Sequence, residues 1–125
     1  MKEIPKIRVS WQDVDNWITN LVDYIKTKKK KFKGIYGLSR GGLVPAIMLS
    51  YRLNIPLLTA PCDNCLIVDD IADSGRSLLH YTENDTQFNK YFIATYFYHP
   101  RSIVTPNSYY RVKEDNTWII FPWEE

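Results

Sequence analysis

The sequence predicts an α/β domain: a mainly parallel, twisted sheet flanked by helices. Three observations lead there. Apolar runs that read as strands alternate with segments of helical periodicity. Cys65-Leu66-Ile67-Val68 is apolar throughout, as a parallel strand buried on both faces should be. Two glycine-bearing loops, after Leu38 and after Asp70, fall where strands end, which is where open α/β sheets bind ligands. The 125 residues suffice for one core and leave no room for a second, so the expected organisation is a single domain over 1–125.

The elements follow in order. Ser10 stands as an N-cap with Asp13 three residues on, close to a capping box. Trp11, Val14, Ile18, Leu21, Val22 and Ile25 then recur at helical spacing and form one apolar stripe, a core face. The lysines from Lys26 to Lys31 sit at that helix's exit, where they offset its dipole. Ile35 to Leu38 is a short strand, and Leu43 to Leu53 a helix that tolerates Pro45 because it falls in the first turn. Ile55 to Thr59 reads as a short strand and Asn64 to Asp69 as a central one. A small helix is expected around Arg76 to Tyr81, and a polar stretch from Thr82 to Asn89. Tyr91 to Tyr98 is the next strand, rich in aromatic and β-branched residues, and Tyr109 to Val112 and Trp118 to Phe121 are strand pieces.

Composition excludes several classes. With 45% hydrophobic and 24% charged residues the chain is an ordinary globular protein, and a net charge of +2 is too small to argue for nucleic acid. No apolar stretch reaches membrane-spanning length and the N-terminus has no signal-peptide core, so the expectation is a cytoplasmic protein without a membrane partner. Cys62 and Cys65 form a C-x-x-C spacing, but no second ligand pair accompanies them and Cys65 enters a strand. Two reduced structural thiols are expected.

The most informative segment runs from Asp69 to Ser77, Asp-Asp-Ile-Ala-Asp-Ser-Gly-Arg-Ser. It joins a buried strand to a helix, and the free N–H groups at such a junction bind anions. Acids on one side and an anion cradle on the other suit a ligand with both hydroxyls and a phosphate, most simply a sugar phosphate.

Leu66 to Leu78 resembles the phosphoribosyl-pyrophosphate (PRPP) motif of type I phosphoribosyltransferases. Gly37-Leu38-Ser39-Arg40-Gly41-Gly42-Leu43-Val44-Pro45-Ala46 resembles the pyrophosphate loop of the xanthine/guanine/hypoxanthine branch. Trp118-Ile119-Ile120-Phe121-Pro122-Trp123-Glu124 resembles that branch's purine pocket. The three stretches occur in the family's order, which is more specific than any one of them.

The resemblance implies a Mg²⁺-dependent transfer of the phosphoribosyl group from PRPP to a 6-oxopurine, with release of pyrophosphate. Asp69 and Asp70 would accept from the ribose hydroxyls and hold Mg²⁺, which takes one or two carboxylates plus substrate phosphates. Ser74, Gly75, Arg76 and Ser77 would wrap the 5-phosphate. Asp73 would manage the proton at purine N7. Ser39, Arg40 and Gly41 would hold the departing pyrophosphate, across a non-proline cis peptide at Ser39–Arg40. Trp118 would stack on the base and Ile119 wall it. His99, before Pro100, stands where the branch carries a lysine that reads the 6-oxygen. The family is commonly dimeric or tetrameric, which implies self-association.

One departure opens alternatives. Family members have a long lid loop between the two strands that here flank Ala60 to Cys65, and six residues cannot form it. A PRPP- or nucleotide-sensing module without turnover, and a transferase acting on another base, stand beside the first reading.

Overall fold

Ser10 opens the first helix through the reciprocal capping its sequence announces: Asp13 N–H donates to Ser10 Oγ at 3.0 Å and Ser10 N–H to Asp13 Oδ2 at 2.9 Å. The computed structural model describes residues 3–82 and 91–125. The expected polar stretch from Thr82 to Asn89 therefore lies, from residue 83 on, outside the described residues. The elements are β1 (Lys6–Arg8), α1 (Trp11–Thr27), β2 (Ile35–Gly37), α2 (Leu43–Leu53), β3 (Leu66–Ala72), α3 (Arg76–Leu79), β4 (Phe92–Tyr98), β5 (Ser108–Val112) and β6 (Trp118–Ile120), followed by a 3₁₀ turn at Pro122–Glu124.

Four strands form one all-parallel sheet in the order β2-β3-β4-β5, and β1 pairs with β6, also parallel, as a separate ribbon. The stripe on α1 (Val14, Trp17, Ile18, Leu21, Val22 and Ile25) packs onto one face of the large sheet, against Leu66, Val68, Ala94 and Tyr96. Trp17 meets Tyr96 edge to face at 5.5 Å between ring centroids. The opposite face carries Ile67, Ala72 and Ile93, covered by Leu78 and Val104. With both faces buried the central strands must be apolar throughout, which is why β3 lacks alternation up to Val68.

The structure amends three of the expected elements and adds one. The piece at Ile55–Thr59 is reduced to one parallel bridge, Ile35 to Leu57, because Pro56 cannot donate to a ladder. The central strand continues through both acids to Ala72 instead of ending at Asp69. The small helix is a single turn, ending at Leu79. β1 carries no burial signature, since Lys6, Ile7 and Arg8 are all exposed, and only its pairing with β6 defines it.

Candidate active site

Two loops meet at the carboxyl end of β2 and β3. The first leaves β2 at Gly37. Leu38 N–H still donates to Val68 O at 2.9 Å, and Gly42 N–H turns the chain back by donating to Leu38 O at 2.8 Å. Between them the Ser39–Arg40 peptide is cis. The N–H groups of Ser39, Arg40 and Gly41 donate to no acceptor among the described residues, and each is a donor that folding leaves free for a ligand. The loop packs closely enough to require its glycines: a Cβ on Gly42 would stand 2.1 Å from Val68 O.

The second loop follows β3. The carboxylates of Asp69 and Asp70 each accept the next residue's backbone N–H, from Asp70 at 2.8 Å and from Ile71 at 2.7 Å. Asp69 is buried and Asp70 half-buried. Burial, reinforced by the neighbouring Asp70 charge, pushes the Asp69 carboxyl up to about 8. A cation or a set of hydroxyl donors at this pair would restore its ionised form. Beyond Ala72 the N–H groups of Asp73, Ser74 and Gly75 donate to no acceptor among the described residues. Gly75 takes the left-handed conformation at φ 82°, and Ile103 N–H donates to Ser74 O at 2.9 Å, so the segment after β4 braces this loop. Arg76 and Ser77 are exposed at the loop's rim. Because α3 has four residues, the cradle is the loop's own amides more than a helix dipole.

Asp73, the acid expected to manage a proton, is ion-paired. Arg101 Nε and Nη2 donate to its Oδ1 at 3.0 and 2.8 Å, and Lys113 Nζ donates to its Oδ2 at 3.4 Å. Partial burial, the largest single influence, raises its pKa, but the hydrogen bond from Arg101 and the charges of Lys113 and Arg101 together hold it below the usual carboxylate range. His99 is 7% exposed and both ring nitrogens are engaged. Arg101 N–H donates to Nδ1 at 2.9 Å, which leaves Nε2–H to donate to Asp115 Oδ1 at 2.5 Å. The histidine expected to meet the base instead ties the end of β4 to the chain after β5.

The C-terminal segment divides. Trp123 and Glu124 line a cleft of about 680 Å³ with Arg40, Gly41, Leu43, Val44 and Asp70. Trp123 is fixed there by stacking on Phe121 at 4.8 Å. Trp118 is 60% exposed and lines a different cleft, beside Ile4, Pro5 and Lys6. Ile119 points into the main core instead of walling a base. Sequence reasoning missed Arg101, Lys113 and the cleft-facing side of Trp123. The available signal for Lys113 was its place just past the end of a strand, where parallel sheets bind ligands.

Among the described residues no three His, Cys, Asp or Glu side chains converge as a metal cage. A cation here would be held by the Asp69–Asp70 pair with oxygens of the ligand, a donor set that suits Mg²⁺. Cys62 and Cys65 are free thiols, and burial pushes Cys65 up to about 11, which makes it unreactive. Among the described residues no helix is long and apolar enough to cross a membrane.

No family model matches the chain. A purine phosphoribosyltransferase from Pyrococcus horikoshii Ot3 superposes with a TM-score of 0.80 at 30% sequence identity, covering 96% of this chain and 94% of that one. The chain belongs to the purine phosphoribosyltransferase family. The xanthine-guanine-hypoxanthine phosphoribosyltransferase of Helicobacter pylori shares the phosphoribosyltransferase fold at a TM-score of 0.80 and 19% identity, covering 98% of this chain and 94% of that one. Xanthine-guanine phosphoribosyltransferase of Idiomarina loihiensis is 26% identical over 141 aligned positions, covering 93% of this chain and 85% of the relative. As 141 positions exceed the 125 residues present, that relative carries segments this phosphoribosyltransferase chain lacks.

Proposed function

We propose that this chain transfers the 5-phosphoribosyl group of PRPP to a ring nitrogen of a 6-oxopurine. The bond from the anomeric carbon to pyrophosphate breaks, the carbon–nitrogen bond forms, and the purine gives up its nitrogen proton. The single observation that carries the reading is the convergence of two loops of free backbone amides, 39–41 and 73–75, on either side of a carboxylate pair at one sheet edge. One loop suits the pyrophosphate and the other the 5-phosphate, with ribose hydroxyls donating to Asp69 and Asp70 between them. The names of the relatives from Pyrococcus horikoshii and Idiomarina loihiensis support a purine as acceptor.

Each residue has a derivable task. Arg40, exposed on the cleft beside Asp70, offers a guanidinium to the charge that grows on pyrophosphate as it leaves. Asp69 and Asp70 would hold Mg²⁺, which when bound supplies charge neutralisation to the diphosphate. Asp73, kept ionised by Arg101 and Lys113, supports the cationic character of the ribosyl group. A carboxylate held below its ordinary range is a weak base, so its electrostatic and orienting roles outweigh proton abstraction.

The absence of room for a lid between Ala60 and Cys65 favours a second reading, a PRPP-responsive binding module. One experiment separates the two. Purified protein with PRPP, Mg²⁺ and guanine, xanthine, hypoxanthine, adenine or uracil should release pyrophosphate with one or more 6-oxopurines. PRPP binding without release for any base would replace the transferase with the sensor.

A further inference from the structure

The chain leaving β4 makes a β-turn from His99 to Ser102. Pro100 takes the second position, which its fixed φ suits, and Ser102 N–H closes the turn on His99 O at 2.8 Å. The first position of such turns favours a side chain that accepts from the N–H two residues on, commonly Asn or Asp. His99 Nδ1 fills that role for Arg101 N–H at 2.9 Å. Nδ1 can accept only while the ring proton sits on Nε2, and Asp115 holds it there. The backbone N–H of the buried His99 donates to Ala72 O at 2.9 Å, so the turn starts from a fixed point at the end of β3.

From this turn, contacts reach each residue of the 73–75 loop. The Arg101 guanidinium holds the Asp73 carboxylate. Ile103 N–H, just past the turn, donates to Ser74 O at 2.9 Å. Ser102 Oγ donates to Val104 O at 2.6 Å and packs on Gly75, where a Cβ would stand 2.4 Å from it. The last two contacts fix the loop's main chain, and with it the direction of the free amides. The 39–41 loop makes no hydrogen bond to this turn among the described residues.

We propose that His99 is a positioning residue for the 5-phosphate of the ribose: by fixing the 99–102 turn it sets the aim of the 73–75 amides. Asp115 serves it by holding the tautomer. The inference rests on the reading of the 73–75 loop as a phosphate cradle, and it gives the buried histidine a task apart from the base.

Two measurements on the wild type, His99→Leu, His99→Asn and Asp115→Ala test it. One is amide hydrogen exchange by NMR at Ile103, which braces the 73–75 loop, and at Leu38, which anchors the other loop to Val68. The second is calorimetric titration of ribose 5-phosphate, which has no base, and of pyrophosphate with Mg²⁺. In His99→Leu the Ile103 amide should exchange about tenfold faster or more, with Leu38 unchanged. Ribose 5-phosphate affinity should fall about tenfold or more, and pyrophosphate affinity should stay within about twofold. His99→Asn should restore part of both losses, because its Oδ1 can accept from Arg101 N–H. Asp115 is largely exposed, so Asp115→Ala keeps the fold and should weaken ribose 5-phosphate about two- to fivefold with the same split. If His99→Leu does not fold, Asp115→Ala and His99→Asn decide the matter.

Equal acceleration at both amides, a parallel loss of the two anions, unchanged ribose 5-phosphate binding, or an Asn variant no better than Leu would overturn the assignment. Failure of the wild type to bind ribose 5-phosphate, with Ile103 protection still dependent on His99, would remove the phosphate reading and leave the histidine brace standing.

Discussion

The carboxylate of Asp70 lies directly on the backbone of Gly41: a Cβ placed there would stand 2.1 Å from Asp70 Oδ2. This contact joins the two loops, one from β2 and one from β3, and leaves no room for a side chain at position 41 unless Asp70 moves. Gly42 is tight against a main-chain oxygen instead, Val68 O, which cannot turn away. Gly41→Ala should displace the Asp70 side chain and weaken PRPP binding about tenfold or more, with a melting temperature within a few degrees of the wild type. Gly42→Ala should cost about 1–3 kcal/mol of stability or prevent folding. Thermal melts and PRPP titrations of both variants check the contrast.

Arg40 has no ion-pair partner among the described residues and fronts the cleft shared with Asp70 and Trp123. Its charge is therefore available to an anionic ligand in that cleft, the task proposed for it on the departing pyrophosphate. Arg40→Ala should lower kcat about 100-fold, the scale of losing one donor to developing negative charge. PRPP affinity should change much less. Single-turnover pyrophosphate release at saturating PRPP measures this directly.

Asp73→Asn should lower kcat about 10- to 100-fold, since charge next to the ribosyl group is lost, while PRPP affinity shifts by less than about threefold. The substitution also leaves Lys113 buried opposite a neutral group. With Asp73 itself partly exposed the stability loss should be about 1–2 kcal/mol, below that of a fully buried pair. Because the folded pKa of Asp73 is depressed, its stabilising contribution is present above the ordinary carboxylate range and disappears as pH falls through the folded value. Denaturant melts from pH 7 down to pH 3 should therefore show a smaller acid-induced loss in Asp73→Asn than in the wild type.

Asp69 shows the opposite sign. Its folded carboxyl titrates near 8, far above the ordinary range, so the folded state binds a proton that the unfolded state has released. Metal-free protein should lose stability as pH rises from about 5 to 8, and Asp69→Asn should flatten that slope. Denaturant melts in the presence of a chelator test it. Equal slopes for variant and wild type would remove the buried acid as the cause.

Much of this architecture was legible in the chain because it depends on local chemistry. Ser10 and Asp13 cap α1 as their spacing requires, and α2 spans Leu43–Leu53 as expected, closing on Asn54 in the left-handed conformation. The acids and the small residues after them marked the loop that closes on the 39–41 turn at the sheet edge. What spacing cannot show is which distant side chains meet. Asp73, Arg101 and Lys113 come together because β3, β4 and β5 end at one edge, and nothing local to Asp73 reveals two cations waiting there. His99 fell at the position expected to read the base, but Asp115 and the Arg101 amide claimed its nitrogens. Ile119 and Trp118 alternate across β6, so the strand sends one into the core and the other outward. β1 was invisible because three exposed residues carry no pattern of burial.

The central claim is that the acid pair and the two amide loops grip an activated ribose, and a calorimetric titration of PRPP onto wild type and Asp70→Asn, with and without Mg²⁺, tests it most directly. The account expects binding by the wild type that strengthens with Mg²⁺ and weakens about tenfold or more in the variant. No binding at all, or an affinity indifferent to both the metal and Asp70, would contradict it.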